Sequence, residues 1–186
     1  MLAIQLQPPE WGKGVISVSM ASSPKDFQAV TVMCDRLADL DASIHAEKGI
    51  PPDLVFELFH RDDNPNLAEL YVAPAAMFLA RWDGQPAGCL GFAPHDETAD
   101  ELHRFYVDPA FRKKGIGKAL IEAVFAGITA GNKRRIVLQT SVYLPDAIRF
   151  YQASGFAFCP PFRSVHTLFT ETEVFMSCLL DPASDR

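Results

Sequence analysis

No stretch of this chain reaches the roughly 18 to 20 continuous apolar residues of a membrane span. Residues 1–9 are too short and too polar for a secretory signal. A cytoplasmic protein without a membrane partner is expected. Cysteine is scarce: Cys34, Cys89, Cys159 and Cys178 form no C-x-x-C pair, which points to buried thiols in a reducing compartment. The histidines, His45, His60, His95, His103 and His166, form no pair at ligand spacing, so no metal site is expected. Basic charge is short as well. Seventeen Lys and Arg face 23 Asp and Glu, a net charge of −6 that argues against a general nucleic-acid binder. Internal repeats and low-complexity tracts are absent.

What is present is an ordinary globular composition, 48% hydrophobic and 22% charged, over 186 residues, enough for one domain with a real core. A loose lead-in is expected over 1–14, where Pro8-Pro9 and Gly12-Lys13-Gly14 fall. Alternation marks a first strand over 15–20. Ser22-Ser23-Pro24 then opens a helix whose apolar positions are Phe27, Val30, Met33, Cys34, Leu37 and Leu40. A shorter helix is expected over 53–59, and 61–74 is either irregular or holds one more helical turn. Strands follow over 76–82 and 87–92, joined by the hairpin signal Asp83-Gly84. A further strand ends at Val107, before Asp108-Pro109. A helix carries Ile116, Leu120, Ile121, Val124, Phe125 and Ile128 on one stripe, with Gly131 as its stop. A strand over 135–141, a helix opened by Pro145 and closed by Gly155, and strands near 156–158 and 172–180 complete the chain. The order β-α-α-β-β-β-α-β-α-β-β implies an α+β (mixed α/β) fold with a mixed sheet.

The stretch with the most chemistry is Arg112-Lys113-Lys114-Gly115-Ile116-Gly117-Lys118, between a strand and a helix. Free amides of a helix's first turn and the positive end of its dipole make an anion cradle, so a phosphate or pyrophosphate ligand is expected. A triphosphate P-loop would need glycine at 112, where arginine stands, and a dinucleotide fingerprint would need glycine at 120, where leucine stands. The second basic cluster, Lys133-Arg134-Arg135, is either another anion patch or the complement to a helix C-terminus.

The R-x-x-G-x-G of 112–117 resembles the acetyl-CoA loop of the GNAT superfamily of N-acetyltransferases. The resemblance extends to Phe105-Tyr106-Val107-Asp108-Pro109 before it. Downstream it includes the A-x-x-x-Y-x-x-x-G-F run from Ala147 through Tyr151 to Gly155-Phe156, and it covers about 78–158. It implies a single GNAT-like domain over 1–186, with about seven mostly antiparallel strands flanked by about four helices and an acetyl-CoA-binding core over 76–158. It also implies that backbone amides of Lys113, Lys114, Gly115, Ile116, Gly117 and Lys118 hold the pyrophosphate, with added charge from Arg112 and Lys118. The fourth and fifth strands would splay, and Tyr106 and Val107 would offer main-chain contacts to the pantetheine arm.

The reaction implied is direct acetyl transfer from the thioester to an amine, which needs a proton acceptor, an oxyanion donor and an acid for the leaving thiolate. By the family's offset from Val107, Glu101 is the base. Strict alternation places Glu101, His103, Phe105 and Val107 on one face, so His103 is a second candidate, as base, relay or substrate contact. Tyr151 matches the family's acid, and a backbone N–H near Val107 would serve the oxyanion. The asparagine that many members carry near this helix is replaced by Tyr143-Leu144-Pro145-Asp146, leaving Ser141 or Asp146 as substitutes. Phe162, His166 and Phe169 are either acceptor-pocket lining or ordinary packing. The acceptor is expected to be a small amine or an amino-acid-like molecule. A peptide or protein acceptor, or a non-catalytic acyl-CoA-binding module, is the alternative. The C-terminal strand is a candidate pairing element for a homodimer.

Overall fold

The computed structural model describes residues 14–60, 66–130 and 133–180. The lead-in up to residue 13, most of the loop at 61–66 and the Gly131 stop lie outside them. In chain order the elements are β1 (Ile16–Met20), α1 (Pro24–Ala46), α2 (Pro52–Val55) running into a π-helical turn (Phe56–His60), α3 (Leu67–Leu70), β2 (Ala76–Trp82), β3 (Gln85–Pro94), β4 (Ala99–Val107), α4 (Ile116–Ala130), β5 (Arg135–Ser141), α5 (Pro145–Ala153), β6 (Ala157–Phe158) and β7 (Glu173–Leu179).

The seven strands form one sheet in the order β1-β2-β3-β4-β5-β7-β6. Every neighbouring pair is antiparallel except β4–β5, which α4 connects as a parallel crossover. The C-terminal β7 lies inside this sheet, bonded to β5 along its whole length and to the two residues of β6.

Local chemistry explains the main boundaries. Ser23 caps α1 in a reciprocal box with Asp26: the Asp26 amide donates to Ser23 Oγ, and the Ser23 amide donates to Asp26 Oδ2 at 3.0 Å. Asp83 (φ 49°) and Gly84 (φ 79°) both take left-handed backbone, as a tight hairpin with a right-handed twist requires. The cluster at 133–135 is largely structural. Lys133 Nζ pairs with the buried Asp100 at 3.0 Å, and Arg134 donates to the Thr129 carbonyl at the end of α4.

Two apolar clusters cover the two sheet faces. On one, Leu120, Val124 and Ile128 of α4 pack on Phe78, Leu90 and Phe92. On the other, Val30, Met33 and Cys34 of α1 pack on Met77, Leu79 and Cys89. Cys178 is buried as well. Among the described residues no helix is long and apolar enough to cross a membrane.

β4 is not a regular strand. Cys89 of β3 faces Tyr106, but Gly91 faces His103, so one extra residue of β4 is inserted between those pairs. Arg104 has φ 56°, the left-handed conformation of a bulge. This corrects the alternation expected for 101–107. Glu101, His103 and Tyr106 share the α1 face, whereas Phe105 and Val107 join Leu102 in the cluster on the α4 side.

Candidate active site

β4 bonds to β5 only from Ala99 to Glu101, against Arg135 to Val137. Beyond that point the strands part, and the unpaired edge of β4 opens onto a cleft of about 580 Å³. Leu37, Leu40 and Ile44 wall it from α1, and Leu144, Pro145 and Phe150 wall it from α5 and the turn before it. The apolar stripe of α1 therefore continues past the sheet: Leu40, which keeps the helical spacing of that stripe, faces the cleft.

The loop at 112–118 closes one end. Lys113 (φ 61°) and Gly115 (φ 88°) are both left-handed, which curls the chain just before α4. The first rung of the helix runs from the Ala119 amide to the Gly115 carbonyl at 3.0 Å, so the amides of Ile116, Gly117 and Lys118 precede the ladder. A Cβ on Gly117 would lie 3.2 Å from Phe105 Cζ and 3.3 Å from Phe150 Cε2, so glycine keeps the cradle open. Arg112, Lys113, Gly115, Ile116, Gly117 and Lys118 line the cleft, together with Tyr106 and Val107. The Ile116 side chain is itself in the core, which leaves its amide to face the cradle. Lys114 is turned away, with Nζ 4.8 Å from the centre of the Trp82 ring. Arg112 Nε donates to the Val107 carbonyl at 3.2 Å, and Lys118 lies 3.8 Å from Glu122 on the exposed side of α4. Converging amides, local positive charge and a glycine-held opening fit a pyrophosphate and its extended arm.

A smaller cavity, about 240 Å³, continues inward past Leu37, Phe105, Leu144 and Ala147. Glu101, His103 and Tyr151 all line it. Tyr151 projects from α5 into an aromatic group, 5.8 Å from the Phe105 ring and 5.7 Å from Phe156. Burial alone pushes its phenol well above the ordinary value, so it keeps its proton at neutral pH. Glu101 is buried, ion-paired to Arg163 and 3.5 Å from His95 Nδ1. Burial lowers the pKa of His103. The charges of Arg104, Arg163 and His95 act the same way, and Glu101 opposes them. His103 is therefore a neutral imidazole near pH 7.

Several cavity residues carry no local sequence signal. Arg163 lies in the loop between β6 and β7 and stacks on Phe162 at 5.0 Å. Asp41 on α1 is bonded to His45 and, at 3.1 Å, to His60. Glu173 begins β7 and accepts from Gln139 Nε2 at 2.9 Å. A third cavity adjoins through His103, Arg104, Gln139 and Arg163 and includes His166. Of the aromatic residues singled out near the C-terminus, His166 lines a cavity, Phe169 is wholly buried, and Phe162 packs between His95 and Phe175.

The family model described as Acetyltransferase (GNAT) family matches residues 40–156. The chain is 28% identical over 127 residues to the uncharacterized N-acetyltransferase YjgM of Escherichia coli, covering 64% of this chain and 74% of that one. It is 32% identical over 97 residues to the human N-acetylaspartate synthetase, covering half of this chain but only 32% of that longer protein. The fold matches a GNAT-family acetyltransferase from Staphylococcus aureus (TM-score 0.68, 20% identity, 89% of this chain and 99% of the other). It also matches one from Elizabethkingia anophelis solved with acetyl-CoA bound (TM-score 0.56, 18% identity, 89% and 98%).

Proposed function

This chain belongs to the GNAT family of acetyltransferases, and on that premise we propose that it moves an acetyl group from acetyl-CoA directly to the amine of a small acceptor bearing an acidic group. The observation that carries this reading is the continuity of three spaces. The phosphate-loop cleft opens into the cavity of Glu101, His103 and Tyr151, and that cavity opens into one lined by Arg104, Arg163 and His166. Acetyl-CoA supplies the activated thioester. The amides of 113–118 and the side chains of Arg112 and Lys118 hold its pyrophosphate, and the free edge of β4 at Tyr106 and Val107 takes its arm.

Within the inner cavity, the neutral His103 accepts a proton from the reacting nitrogen. Glu101, tied to Arg163, stabilises the imidazolium that results. The Tyr151 hydroxyl donates to the departing sulfur. The guanidinium groups suit an acidic group on the acceptor, such as the carboxylate of an amino-acid-like molecule.

The test is release of free CoA thiol in the presence of primary amines with and without a carboxylate. Turnover is expected, with higher kcat/KM for the acidic amines. Thiol release that no amine raises above background overturns the reading. The pH profile carries a separate expectation. Because burial lowers the pKa of His103, the limb it sets falls below pH 6.5, the ordinary imidazole value, and activity is lost as the ring protonates. His103→Gln is expected to lower kcat by about 100-fold and to remove that limb.

A further inference from the structure

We propose that Glu173 is a further catalytic residue of this site: it seats the acceptor's ammonium group and takes its first proton. The inference rests on the acetyl-transfer reading and adds the group that prepares the nucleophile. An amine arrives protonated at neutral pH, and two protons leave its nitrogen before the amide is complete. His103 accounts for one of them.

Glu173 stands on the wall of the inner cavity, opposite Ser141 across the β5–β7 ladder and beside Gln139. The other charged and titratable groups lining this cavity come from five elements, with Tyr151 contributed by α5. Asp41 comes from α1 and His60 from the turn after α2. Glu101, His103 and Arg104 come from β4, and Arg163 comes from the loop before β7. Their pairings set Glu173 apart. Glu101 is bonded to Arg163, and Asp41 is bonded to His45 and His60. Glu173 has one neutral donor, Gln139, and no cationic partner among the described residues. Its carboxylate, with the Asp41 charge nearby, leaves negative charge on this wall of the cavity without a cation to balance it among the described residues. An ammonium supplies the missing countercharge.

Burial, reinforced by Asp41 and opposed by the Gln139 bond, raises the Glu173 pKa to about 7, a value suited to exchanging a proton at neutral pH. The step balances. The N–H bond breaks to Glu173, leaving a neutral amine. The N–C bond forms as the C–S bond breaks, and His103 takes the second proton. The sulfur takes the Tyr151 proton, and His103 returns one proton to the phenolate. The proton on Glu173 leaves to solvent, one per turnover.

The test compares wild-type protein with Glu173→Gln and Glu173→Asp. It measures kcat/KM against pH for the best amine, acetyl-CoA affinity by calorimetry, and thermal unfolding. Glu173→Gln is expected to lower kcat/KM by about 100-fold with acetyl-CoA affinity unchanged, and to abolish the limb near pH 7 while the lower limb of His103 remains. Glu173→Asp, which keeps the carboxylate, is expected to recover part of the rate and the upper limb. An upper limb that persists in Glu173→Gln overturns the inference, whatever the rate. So does a rate loss that tracks lost acetyl-CoA binding, or an Asp variant no better than Gln. In each of those cases wild-type turnover leaves the acetyltransferase reading standing. Wild-type protein that releases no thiol with any amine overturns that reading, and the inference with it.

Discussion

Tyr151→Phe slows acetyl transfer by about 100-fold, the range of one positioned general acid, and leaves acetyl-CoA affinity within twofold or so of wild type. The division follows from the two halves of the side chain. The ring is held by Phe105, Phe150 and Phe156, and phenylalanine preserves those contacts. Stability should therefore change little. Only the hydroxyl is lost, and Tyr151 lines the inner cavity rather than the cleft beside the loop at 112–118. Burial holds its proton far above neutral pH, so the wild-type enzyme should show no alkaline loss from Tyr151 across the physiological range. Steady-state kinetics and calorimetric titration of acetyl-CoA on the same preparation check both parts. Equal losses of binding and turnover would mean that the ring is only a wall of the cleft.

Gly117→Val is the second large effect, and its signature is the reverse. A Cβ at 117 already meets Phe105 at 3.2 Å and Phe150 at 3.3 Å, and the γ-methyl groups of valine must enter the cradle or displace those rings. Losing two charge-assisted contacts at about 1.5 kcal/mol each weakens acetyl-CoA binding by about 100-fold. Gly117→Ala adds only the Cβ and should fall between. The effect is steric and local, because 117 is already within α4, where valine has a helix propensity no worse than that of glycine. Calorimetry should show the graded loss while the unfolding midpoint stays near wild type. Undiminished affinity in Gly117→Val would remove the pyrophosphate from this loop.

The contrast between these sites and the rest shows what the sequence makes legible. Tyr151 and the loop at 112–118 lie in contiguous runs whose residue types answer local demands: glycine where the backbone must turn left-handed, proline and alanine where α5 begins. The hairpin at Asp83-Gly84 is legible for the same reason. The bulge in β4 is not, because its left-handed residue is Arg104, a type that gives no conformational hint. Strict alternation therefore assigns Phe105 and Val107 to the wrong face. Arg163 and Glu173 are brought to the cavity by a loop and a strand 62 and 34 residues from their partners Glu101 and Gln139. Only tertiary structure reveals such pairings. The Lys133-Arg134-Arg135 cluster looks alike for ligand and for helix end until Asp100 and the Thr129 carbonyl are seen beside it.

A single-turnover experiment tests the central claim, that one cleft carries acetyl directly from acetyl-CoA to an amine. Enzyme in excess over acetyl-CoA is mixed with the best amine, and free thiol, acetylated product and intact protein mass are followed together. Thiol and acetamide are expected to appear in equal amounts in one phase, with the protein mass unchanged throughout. Thiol released without amine, or protein that gains an acetyl group before the product appears, would contradict direct transfer.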